Sequence, residues 1–116
     1  MESIKQGYLE INKSKFYSFI YEVQTVEQVE KVLTELRAEY KKATHICYAY
    51  ILSSPNVEKR SDDGEPSGTA GLPILTILKR KKLTNALAVV VRYFGGKKLG
   101  AGGLIRAYTH AIADII

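Results

Sequence analysis

The stretch RYFGGKKLGAGGLIRAYTH, residues 92 to 110, holds five of the chain's nine glycines and four cationic side chains. It follows an apolar run that reads as a strand and precedes one that reads as a helix. A glycine-rich turn in that position leaves backbone N–H groups exposed, and a helix N-terminus adds a field that favours an anion. Neither familiar phosphate pattern is complete. Gly95 and Gly100 have Walker A spacing, but Ala101 and Gly102 stand where the lysine and the Ser/Thr belong. Gly100, Ala101 and Gly102 begin a dinucleotide fingerprint whose third glycine is replaced by Ile105. What remains is a general anion cradle of Gly95, Gly96, Gly100, Gly102 and Gly103, reinforced by Arg92, Lys97, Lys98 and Arg106. The alternative stays open that these glycines only supply positive φ angles and close helix packing.

A second group, SDDGEPSGTAG at residues 61 to 71, sets Asp62, Asp63, Gly64 and Glu65 before Ser67 and Thr69. Three carboxylates offer oxygen ligands to a divalent cation, yet the spacing lacks the ligand number of an EF-hand. The better reading is an acidic turn that pairs with Arg60, Arg92 or Arg106, with Ser67 or Thr69 capping the next helix. His45 and Cys47, two apart on a strand, share a face. An imidazolium lowers a thiol pKa, but adjacent positions of one strand rarely bring reacting atoms together, and only His110 remains as a further soft metal ligand. No catalytic residue, metal site or cofactor is assigned.

Charge is segregated. Residues 1 to 65 hold nine Lys/Arg and eleven Asp/Glu, whereas residues 66 to 113 hold eight Lys/Arg and no acid. A one-sided positive field attracts phosphate-bearing partners. The run Lys79, Arg80, Lys81, Lys82 is its densest part. The single cysteine fits a reducing compartment, and no apolar stretch has the length of a membrane span. A cytoplasmic location without membrane attachment is expected.

These groups need a frame. YLEINKSKFYSFIYEV predicts two extended segments turning at residues 12 to 15. Residues 25 to 42 carry Val26, Val29, Leu33, Leu36 and Tyr40 at helical spacing, with Thr25 and Gln28 as a capping box. THICYAYIL predicts a strand, and residues 53 to 68 a loop. TAGLPILTILKRKK predicts a helix with Pro73 in its first turn, NALAVVVRYF a strand, and Leu104 to Ile115 a final helix. The economical architecture is an α+β, two-layer fold with about four strands in a mixed sheet and helices mainly on one face.

KSKF at 13 to 16, ATHICYAY at 43 to 50, SDDGEPSGTAG at 61 to 71 and VVVRYFGGKKLGAGGLIRAY at 89 to 108 together resemble the N-terminal domain of the bacterial YigZ proteins, shared with the eukaryotic IMPACT proteins. The resemblance implies a fold similar to ribosomal protein S5 domain 2 and elongation factor G domain IV. Bacterial members usually continue into a smaller second domain. Residues 1 to 116 are accordingly expected to be one Impact-type domain without it. The family offers no established enzymatic chemistry for this domain.

Taken together, these features lead to the expectation of a non-catalytic domain that binds RNA or ribosomal components and modulates translation. Lys79 to Lys82, Lys97 and Lys98 would neutralise phosphates, the glycine amides would hold one, and reversing Lys97 and Lys98 would weaken binding more than reversing Lys41 and Lys42. The alternatives are a phosphate- or nucleotide-binding small-molecule site in the glycine and acidic loops, with an enzymatic form in which Asp62, Asp63 or Glu65 serves as metal ligand or base, or a protein partner on the same polar patch.

Overall fold

The computed structural model describes residues 1–116. Five strands, β1 (Lys5–Ile11), β2 (Ser14–Glu22), β3 (His45–Ser53), β4 (Asn56–Ser61) and β5 (Ala86–Tyr93), form one sheet in the order β1-β2-β5-β3-β4. Every neighbouring pair is antiparallel. The expected four-stranded mixed sheet is thus corrected to a five-stranded antiparallel one. The additional strand, β4, lies within the predicted loop: its sequence NVEKRS is charged and mostly exposed, as suits an edge strand, and periodicity alone does not reveal it.

Three helices, α1 (Val26–Glu39), α2 (Gly71–Arg80) and α3 (Gly100–Ala113), cover both faces of the sheet. The central strand β5 is buried from Ala86 to Arg92, and its alternation divides the core. Ala86, Ala88 and Val90 pack with α2 and α3, whereas Leu87, Val89 and Val91 pack under α1. The two-layer expectation is corrected to three layers, because the large apolar residues on the second face need a cover of their own. Small side chains at Ala49 and Ala88 let α2 and α3 come close on the first face. No helix is long and apolar enough to cross a membrane.

Local signals hold at most element ends. Asn12 and Lys13 both have positive φ, 48° and 69°, the conformation of a two-residue hairpin turn that matches strand twist. Thr25 caps α1 by accepting from the Gln28 amide at 3.1 Å. The Gln28 side chain, however, accepts from the Gln24 amide at 2.6 Å rather than from Thr25. Pro73 sits in the first turn of α2, where its missing N–H costs nothing.

Candidate functional site

Alternation along β5 carries Arg92 onto the α2/α3 face, in line with Ala88 and Val90, where an arginine must find a partner. It finds the buried Glu65 from the acidic loop: Arg92 Nη1 donates to both carboxylate oxygens, at 2.9 and 2.8 Å. Arg92 Nη2 donates to Ser14 Oγ at 3.2 Å, and the guanidinium lies 5.5 Å from the Phe16 ring centroid and 5.6 Å from that of Phe94. Glu65 also accepts from the Tyr108 hydroxyl of α3 and stands 3.4 Å from His45 Nε2 of β3. A single carboxylate therefore ties together β3, β5, α3 and the acidic loop. Arg92 Nε alone has no partner.

The rest of the acidic loop is bound by amides. Asp62 accepts from Ala70 and Gly71 at 3.1 and 2.8 Å and from Gly68 at 2.9 Å. It therefore caps α2, in place of the expected Ser67 or Thr69. Ser67 is exposed, and the Thr69 hydroxyl donates to the Pro66 carbonyl at 2.6 Å. Asp63, itself at positive φ, accepts from the Ile46 amide at 2.7 Å, and Gly64 lies against the His45 ring. Burial pushes the Asp62 carboxyl up, but the amides of Gly68, Gly71 and Ala70, followed by the charge of Arg60, outweigh it and hold the group below its ordinary value. A carboxylate with a depressed folded pKa stabilises above its unfolded value, near 3.8, and that contribution disappears as pH falls through the lower folded value. Acid unfolding followed by circular dichroism should therefore show a shallower loss below pH 4 in Asp62→Asn than in the wild type.

Cys47 is buried on β3. Burial pushes its thiol up against the opposing hydrogen bond to Tyr108, the nearby carboxylates add to the rise, and its sulfur lies 3.1 Å from the Asp62 carbonyl and 3.4 Å from Tyr108 Oη. His45 shares its face, as the spacing required, but its Nδ1 lies 2.8 Å from the Asp63 carbonyl oxygen.

The glycine turn stands at the end of β5. Gly95 is pressed on the hairpin: a Cβ there would lie 2.0 Å from the Lys13 carbonyl carbon, and its amide donates to Ser14 Oγ at 3.2 Å. The amides of Gly96, Lys97, Lys98 and Leu99 have no partner in the protein, and α3 begins without a side-chain cap. Gly100, Gly102 and Gly103 form its first turn, and the exposed Arg106 follows. Beneath the turn is a cleft of about 310 Å³ lined by Glu65, Pro66, Arg92, Phe94, Lys98 and Leu99 among others.

The predicted cations do not converge as expected. Arg92 is sealed inside with Glu65, so it does not offer its charge to an outside phosphate. Lys79 to Lys82 close α2 and lead into the start of β5, with Lys79 3.2 Å from Glu58. The eight residues of β5 separate them from the glycine turn, roughly 25 Å of extended chain. Other lysines take their place. Lys13 lies beside Gly95, Lys15 pairs with Tyr93 in the sheet register, and Lys41 and Lys42 share a groove with Tyr93. The Phe94 amide donates to Thr44 Oγ1 at 2.9 Å, which fixes the end of the Lys41–Lys42 segment beside the turn. With Lys97 and Lys98, six exposed lysines from three segments surround this end of the sheet; Glu10, Glu39 and Asp63 are the exposed acids nearby. The first four were missed because they belong to the half of the chain with net negative charge.

The motifs that build this site, from the hairpin turn to the glycine turn, coincide with the range matched by a family model, the Impact N-terminal domain, over residues 12–116. The chain belongs to that family. This Impact N-terminal domain is 45% identical over 105 residues to IMPACT family member YvyE of Bacillus subtilis, covering 90% of this chain and 48% of the relative. A crystal structure described only as an hypothetical protein shares 37% identity with a TM-score of 0.88, covering 97% of this chain and 58% of that one. A structure of the two-domain translational regulator Yih1 matches with a TM-score of 0.65 at 22% identity, over 97% of this chain and 46% of that one, and shares the fold. The domain spans about half the length of these proteins.

Proposed function

We propose that this Impact domain is a non-catalytic RNA-binding module acting in translation regulation, and that it receives backbone phosphates at the lysine-ringed end of the sheet. The observation that carries the reading is the meeting of six exposed lysines from three segments around a turn whose amides have no partner. Free donors and mobile cations are what phosphate contacts require. The regulatory setting is taken from Yih1, described as a translational regulator. The likeness to ribosomal protein S5 domain 2 that the family resemblance implies would fit the same setting. Phosphate contacts position a strand without reading it, so sequence preference is expected to be slight.

The test is fluorescence anisotropy with a labelled single-stranded RNA. If all six lysines contact phosphates, log affinity should fall against log salt with a slope of about −4. Reversing Lys41 and Lys42 to Glu should weaken binding by about tenfold at low salt, while reversing Lys81 and Lys82, which make no contact at this site, changes it by less than about threefold. A salt-independent affinity, or equal losses for the two pairs, would overturn the reading.

A further inference from the structure

The cleft beneath the glycine turn is distinct from the lysine ring in its chemistry. Most of its wall is apolar, from Pro66, Phe94, Leu99 and Leu104, with Glu65 and Arg92 at its polar end and Lys98 beside the turn. At about 310 Å³ it is at the small end of ligand pockets. Phe94 is 48% exposed although it is large and apolar. Its ring lies 5.6 Å from the Arg92 guanidinium, whose Nε is buried without an acceptor. Buried donors in native proteins are nearly always satisfied, so an orphan beside an open cleft points to an acceptor that is not part of the chain.

Resting on the RNA reading above, we propose that this cleft takes one unpaired nucleotide of the bound strand. The base lies against Phe94 and between Leu99 and Pro66. One of its ring or carbonyl acceptors faces Arg92, and its phosphate meets the unpartnered amides of the turn and Lys98. A duplex cannot supply a base in this way, since its bases are stacked and paired; the domain should therefore prefer single strands, loops or bulges.

Three probes separate this from phosphate binding alone: a ten-nucleotide adenosine RNA, an abasic ribose-phosphate chain of equal length, and free adenosine monophosphate. Phe94→Ala should lower affinity for the adenosine RNA by about tenfold, the lower part of the range for one stacked base. It should leave the abasic chain and the salt slope unchanged. Ala101→Leu, which narrows the cleft from an exposed helix position, should act in the same direction and guards against a folding defect at Phe94. Equal affinity for the adenosine and abasic chains, or no effect of either variant, would overturn the cleft proposal while leaving phosphate binding intact. Failure of both chains to bind would remove the RNA reading itself. Tight binding of the free monophosphate without the chains would reassign the cleft to a small-molecule nucleotide site.

Discussion

Arg92→Ala should cost about 3–5 kcal/mol, the range for removing one partner of a buried ion pair, and lower Tm by roughly 10–20 °C. The reason is the carboxylate left behind. The Glu65 side chain is 3% exposed, and without Arg92 it keeps only the Tyr108 hydroxyl and the His45 ring as polar neighbours. An uncompensated buried charge is far more costly than an absent pair. The double variant Arg92→Met, Glu65→Leu should therefore regain much of the loss, because well-packed apolar replacements of buried ion pairs are often neutral. Chemical denaturation of the three proteins measures this directly. A loss below about 1 kcal/mol in Arg92→Ala would mean that water reaches Glu65 and that the pair contributes as a surface bridge does. The same experiment bears on function. On the RNA reading, loss of affinity for an abasic chain in Arg92→Ala should track the unfolded fraction, whereas a base-bearing strand should lose in addition its contact with Arg92 at the polar end of the cleft.

Gly95→Ala should be the next most damaging single change, costing roughly 1–3 kcal/mol as overpacking does. The added Cβ would lie 2.0 Å from the Lys13 carbonyl carbon, 2.1 Å from its oxygen and 2.5 Å from the Ser14 nitrogen. All three are backbone atoms of a tight turn, so no rotamer change relieves the overlap. Separating turn from hairpin also breaks the Gly95–Ser14 hydrogen bond and with it the support of Arg92 Nη2. On the proposed RNA reading, affinity should fall with stability here, because Lys13 and Lys15 move away from Lys97 and Lys98. Gly102→Ala is the control. Its nearest obstacle is the flexible Arg106 guanidinium at 3.4 Å, and a helical Gly→Ala exchange should gain about 0.5–1 kcal/mol. Thermal melts of the two variants should move in opposite directions. A Gly95→Ala protein as stable as the wild type would show that the hairpin yields without cost.

Much of the frame was legible in the residues alone. Helix α1 followed from apolar spacing and Thr25, although Val26 proved exposed and Val32 took its place in the core. Strand β5 followed from its apolar run, whereas α3 begins at Gly100 rather than at the expected Leu104, so that Gly100, Gly102 and Gly103 belong to the helix and not to the turn. These are local matters, decided by side-chain period, capping and backbone freedom within a few residues. Strand β4 was not legible, since an exposed edge strand carries the polarity of a loop.

By its own composition and spacing, the sequence determined that a glycine turn would join an apolar strand to a helix, that an acidic loop would seek a basic partner, and that positive charge would gather in the second half. Tertiary structure decided which charges meet. Charge density along the chain favoured Lys79 to Lys82, but the length of β5 holds that run away from the turn. Sheet pairing instead brings Lys13 and Lys15 across from β2, and the α1–β3 connection brings Lys41 and Lys42. It also turned Arg92 inward to Glu65, because alternation on a strand covered on both faces leaves a charged side chain no route to water. Proximity in a sheet follows strand order and register, and neither is written in the local sequence.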